Sequence, residues 1–175
     1  HNSGRDAVEA LAARAGVSLD QLKQQARFGL GRLGAARVCL VLPMTYMNLS
    51  GRSVSSMAHY FAVPHDEMLV VHDELDLAPG EAKLKFGGGT AGHNGLRDVA
   101  AQLGTQDFWR LRIGIGHPRD SAIPQQDVAD YVLQPPRADE RRSLEGALDR
   151  ALDAWPDLAA GDYERAMLAL HTKAK

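Results

Sequence analysis

Polar and apolar positions change period several times along the chain, and each change marks a candidate element. Val8, Leu11, Ala12 and Ala15 recur at helical spacing. Ser3 can cap that helix, with Asp6 at its third helical position, and Gly16 can end it. Residues 26–32 and 36–42 flank Leu33-Gly34-Ala35 and read as a hairpin. Its second arm is apolar on both faces, which predicts a central strand closed by Pro43. A helix capped by Asn48 or Ser50 should run to about Phe61, with Val54, Met57, Ala58 and Phe61 on one face. Met68-Leu69-Val70-Val71 reads as a short, fully buried strand, with His72-Asp73-Glu74-Leu75-Asp76 following at its carboxyl end. Lys83 and Lys85 alternate with Leu84 and Phe86, which predicts a strand with one wet face. The run Trp109–Ile115 alternates too, with Arg110 and Arg112 on one side. A proline-bounded loop covers about 117–126, and two helices follow near 138–152 and 162–170. Strands mixed with helices predict the α/β class: one domain over 1–175, a three-layer α/β/α sandwich on a twisted mixed sheet.

Between the lysine strand and the next helix lies Gly87-Gly88-Gly89-Thr90-Ala91-Gly92-His93-Asn94-Gly95. Such a segment is costly in chain entropy. It makes sense where backbone must pass close to something else and two polar side chains, His93 and Asn94, are presented at a fixed point. Residues 87–92 also match Gly-x-Gly-x-x-Gly, but a dinucleotide site wants a buried first strand and an acidic residue ending the next one. Here the first strand carries Lys83 and Lys85, and Asp107 precedes a strand instead.

Composition narrows the class. A chain of 175 residues, 45% hydrophobic and 24% charged, suits one globular core. No apolar run approaches bilayer length, which implies no membrane partner. The single Cys39 lies in the apolar run Val38–Leu42, allows no internal disulfide and fits a reducing, cytoplasmic setting. The net charge of −2 conceals an uneven distribution. Residues 1–82 carry 7 Lys/Arg against 9 Asp/Glu, residues 83–119 carry 6 against 2, and residues 120–175 carry 7 against 11. The middle third is thus a basic island around the glycine segment, and local sign governs the steering of a polyanion.

Ligands of open α/β sheets gather outside the carboxyl ends of strands. That rule singles out Tyr46, Asn48, Asp73, His93 and Asn94. A histidine oriented by a carboxylate makes a general base near neutral pH, and amides can hold a carbonyl or a developing oxyanion. Bland alternatives stand beside each: Asp73 capping a turn, Asn48 capping its helix, His72 packed in the interior. No His-x-x-x-His or cysteine pair supports a metal site, and no Gly-x-Ser-x-Gly supports a serine nucleophile.

In order along the chain stand His1-Asn2-Ser3-Gly4, Tyr46-Met47-Asn48-Leu49-Ser50-Gly51, His72-Asp73-Glu74-Leu75-Asp76, Lys83-Leu84-Lys85, Gly92-His93-Asn94-Gly95-Leu96 and Arg110-Leu111-Arg112-Ile113-Gly114-Ile115-Gly116-His117-Pro118. Together they closely resemble the bacterial-type peptidyl-tRNA hydrolase family, whose fold is phosphorylase/hydrolase-like. The resemblance implies hydrolysis of the ester joining a peptide to the 3′ ribose of tRNA, with peptidyl-tRNA as partner, no metal and no cofactor. It implies His1 as catalytic base and Asp73 as its partner. Asn48 and Asn94 would bind substrate and the attacking water, and Tyr46, Met47 and His93 would line the tRNA end. Lys85 and Arg112 would contact phosphate. It also implies a monomer. The family carries a short strand and an Asn-Pro-Gly loop before the catalytic histidine. They are missing here, so the natural chain is expected to be longer. The reading from another class is a non-catalytic RNA-binding relative on the same fold, and a weaker third is a nucleotide-dependent enzyme using 87–92.

Overall fold

The computed structural model describes residues 3–33, 36–44, 50–90, 93–116 and 138–171. His1, Tyr46, Met47, Asn48 and the loop at 117–126 lie outside the described residues. The helices are α1 (Ser3–Ala15), α2 (Ser50–Tyr60), α3 (Asn94–Leu103), α4 (Ala138–Ala159) and α5 (Tyr163–His171). The strands are β1 (Gln21–Lys23), β2 (Ala26–Leu33), β3 (Ala36–Pro43), β4 (Leu69–Glu74), β5 (Ala82–Phe86) and β6 (Trp109–Gly114). They form two three-stranded sheets, β1-β2-β3 and β4-β6-β5. The α/β class expected from the sequence is the observed one.

The hairpin forms with Leu33 paired to Ala36 and Ala26 to Pro43. Its second arm is not central among the described strands: β2 holds the middle of that sheet, with β1 on its other side. The short β1 joins β2 through Gln24 and Gln25, both at positive φ (53° and 58°), where a two-residue turn twists with the strands. Phe28, Ala26 and Met57 form one buried cluster, with Cys39, Val41 and Phe61 against it. Burial pushes the Cys39 thiol up to about 11, so it stays protonated and packs as a small apolar group.

In the second sheet, Trp109 N–H donates to Met68 O and Ile115 N–H to Glu74 O. The partners advance together, so β4 and β6 are parallel. Gly87 N–H donates to Phe108 O and Gly114 N–H to Glu81 O. Those partners run in opposite senses, so β5 and β6 are antiparallel and the sheet is mixed. The strand expected at Met68–Val71 lies one residue later and extends to Glu74, so His72 and Asp73 stand within it. Leu69, Val70 and Val71 are only half-buried, which corrects the fully buried strand read from their apolar run.

By contact the chain divides into two compact units. The first comprises 1–7, 71–85 and 111–175. It buries Leu84, Leu111, Ile113 and Ile115 together with Ala147, Ala151 and Ala154 of α4 and Leu170 of α5. The helix expected to stop near residue 152 runs on through Pro156 to Ala159. Buried Ala154 and Leu158 outweigh the backbone bond that the proline forgoes. The second unit comprises 8–70 and 86–110. Its main cluster joins Ala58, Met68, Leu96, Val99 and Phe108.

Candidate active site

Alternation along β4 sends His72 and Glu74 to its buried face and Asp73 to the other. His72 is 5% exposed, and its Nδ1–H donates to the Asp73 carbonyl at 2.9 Å. That identifies it as a packed histidine, the bland alternative weighed for it. Gly4, on the first turn of α1, lies against the same strand. A Cβ there would run into the Val71 carbonyl oxygen and lie 3.2 Å from the Val71 carbonyl carbon. Glycine at that position lets the start of α1 sit on β4 two residues from Asp73.

Glu74 is buried and accepts from Arg112 Nη2 at 2.8 Å. The arginine expected to contact phosphate is therefore half-buried and already carries a carboxylate. Lys83 and Lys85 stand exposed on β5 as expected, opposite buried Ala82 and Leu84.

In the second unit, α3 opens with His93 as its N-cap. The backbone there is extended (φ −74°, ψ 113°), and Nδ1 accepts from Leu96 N–H at 3.1 Å. This bond satisfies a helix-start donor that has no partner within the helix. It also fixes the neutral ring's proton on Nε2. Asn94 follows as the first helical residue and is exposed, while Gly95 and Leu96 are buried beneath it.

The glycine segment is held from within. Arg110 is 2% exposed. It donates through Nη1 to Gly89 O at 2.5 Å and through Nη2 to Gly88 O at 2.8 Å and Gln106 O at 3.1 Å. Its guanidinium also lies 4.7 Å from the centre of the Phe108 ring. Strand alternation groups Arg110 with Arg112 on one side, and the structure buries Arg110 there. Gly88 and Gly89 are themselves exposed, so nothing in the glycine run signals that an arginine beneath them turns inward. A second residue passed over by the sequence reading is Asp98 on α3, whose carboxylate accepts from Gly51 N–H at the start of α2.

Among the described residues, no group of three or more His, Cys, Asp or Glu side chains could hold a metal ion. No described helix is long and apolar enough to cross a membrane.

A strand carboxylate, a helix opened by adjacent imidazole and amide, and an exposed lysine pair are parts suited to a hydrolase of the α/β class acting on a polyanion. Comparison with known proteins narrows this. The family model of peptidyl-tRNA hydrolase matches residues 1–175. The crystal structure of peptidyl-tRNA hydrolase from Acinetobacter baumannii is 40% identical, with a TM-score of 0.92 over 99% of this chain and 86% of that one. A peptidyl-tRNA hydrolase in complex with N-propanol has the same identity, coverage and score. An arginine-to-glutamine mutant of the A. baumannii enzyme is 39% identical at the same score and coverage. The chain belongs to the peptidyl-tRNA hydrolase family.

Proposed function

We propose that this chain hydrolyses the ester between peptide and tRNA with His1 as general base and Asp73 as the carboxylate that orients and charge-stabilises it. The reaction needs a base, a water and polarisation of one carbonyl, and no covalent nucleophile. Neutral His1 takes a proton from water as it attacks the ester carbonyl. The amides of Asn48 and Asn94 hold the carbonyl and the water. The tetrahedral intermediate collapses with loss of the ribose 3′ oxygen, which receives the proton. Tyr46, Met47 and His93 line the tRNA end. Lys85 meets phosphate with its exposed ammonium, and Arg112 does so with the guanidinium edge that Glu74 leaves open. We place the enzyme in the cytoplasm, working as a monomer and as one catalytic domain.

The observation that carries this reading is the family match over the whole chain, with the family's His, Asp and two Asn residues all present in order. The test is release of free tRNA from a peptidyl-tRNA substrate. His1→Ala and Asp73→Asn should each abolish most turnover, and the rate should fall on the acid side as the base protonates. Either variant turning over like wild type would remove that residue from the mechanism. RNA binding without turnover in the intact chain would favour the non-catalytic relative.

A further inference from the structure

Helices α2 and α3 pack together at a point where one of them has no side chain. A Cβ on Gly51 would run into the backbone carbonyl of Asp98 and lie 2.7 Å from Val99 N. At the same point Gly51 N–H donates to the Asp98 carboxylate at 2.6 Å. That N–H is one of the helix-start donors without a partner inside α2. A carboxylate there also meets the positive end of the helix dipole. The contact is thus fixed twice, sterically by a bare Cα and directionally by a charge-assisted hydrogen bond.

The positions of the two partners in the chain give the contact a meaning. Asn48 stands three residues before Gly51, and Asn94 stands four residues before Asp98. A spacing of four puts Asn94 and Asp98 on one face of α3, a turn apart. Asn94 therefore belongs to the leading end of the helix that this contact locks.

We propose that Asp98 is a positioning residue for hydrolysis: by holding Gly51 it fixes the start of α3, which carries Asn94, against the start of α2. This rests on the reading that the Asn94 amide holds the substrate. Asp98 itself need not touch substrate. Its effect is on geometry, and stabilisation of a developing oxyanion is steep in geometry.

The experiment measures kcat, KM and thermal midpoint on peptidyl-tRNA. Asp98→Ala should lower kcat by about tenfold or more and change KM by less than about threefold. Asp98→Asn, which keeps an acceptor of the same shape, should recover most of the loss. Ser55→Ala is the control, because Ser55 Oγ reaches Gln102 O at 3.5 Å across the same two helices, about two turns along α3 from Asn94. It should leave kcat unchanged. In an Asn94→Ala background, Asp98→Ala should cost less than about twofold more, since the group it positions is gone. A lowered midpoint with wild-type kcat for Asp98→Ala, or full additivity with Asn94→Ala, would overturn the assignment. Asn48→Ala and Asn94→Ala both turning over at wild-type rate would sink the amide roles themselves and this inference with them. Impaired Asn variants beside an unimpaired Asp98→Ala would sink this inference alone.

Discussion

The backbone N–H of Leu84 donates to Nε2 of His171 at 3.1 Å. Glu81 and Gly87, flanking β5, bond toward β6, so Leu84 N–H faces the edge that β5 forms among the described strands. A histidine at the end of α5 occupies the donor that an edge strand would otherwise present to another chain. Nε2 can accept only when unprotonated. Burial, and to a lesser degree the charge of Lys83, lowers the His171 pKa from its usual 6.5. The folded state therefore binds this proton less readily than the unfolded chain. The contribution is complete above the unfolded pKa and is lost as pH falls through the folded one. Chemical denaturation of wild type and His171→Phe across pH 5–8 should show the variant less stable by about 0.5–1 kcal/mol at the upper end. The gap should close toward the lower end, and a gap constant with pH would refute the titrating bond.

Arg110→Met should destabilise the fold by about 1–3 kcal/mol, because the carbonyls of Gly88, Gly89 and Gln106 lose a shared charged donor. Arg110→Lys should recover little, since one ammonium cannot reproduce the fork that spans Gly88 and Gly89. Urea unfolding of the three proteins decides this, and a lysine variant as stable as wild type would refute the fork.

Arg112 and Lys85 should separate in the same assay. Arg112→Ala strips the partner from buried Glu74 and should cost about 3 kcal/mol of stability in addition to weaker tRNA binding. Lys85→Ala removes an exposed charge and should leave stability within about 0.5 kcal/mol of wild type. It should also reduce the salt dependence of tRNA binding by about one ion. Equal thermal midpoints for the two variants would contradict the Glu74 pairing.

Gly4→Ala should cost about 1–3 kcal/mol through overlap with the Val71 carbonyl. If the start of α1 carries the base to Asp73, the same change should lower kcat at pH 7 beyond what the lost folded fraction explains. Specific activity per folded molecule, from activity and calorimetry on one sample, separates the two effects.

Much of this is legible in the sequence. The hairpin over 26–42, the helix after the glycine segment and the wet face of β5 came from period and turn chemistry alone, because those elements obey local rules. The limits of β4 were missed since His72 and Glu74 read as polar. Their burial depends on partners elsewhere in the chain: the Asp73 carbonyl for one, Arg112 for the other. The burial of Arg110 is hidden for the same reason. Strand alternation tells which side a residue takes, and it does not tell whether that side is wet. Pro156 inside α4 went unanticipated because tertiary burial of Ala154 and Leu158 overrode a local breaker. For the site, motif order revealed the residue types, while the Gly51–Asp98 bond, spanning 47 positions, left no trace in the sequence pattern.

Arg110 also bears on how the protein meets salt. Surface lysines attract an RNA backbone only across distances that mobile ions allow, about 8 Å at physiological ionic strength. A guanidinium sealed beneath Gly88 and Gly89 cannot gather such ions around itself. Its bonds to the two glycine carbonyls should therefore hold at ionic strengths that mute the pull of Lys83 and Lys85. The path of the glycine segment would then be kept where surface attraction is lost.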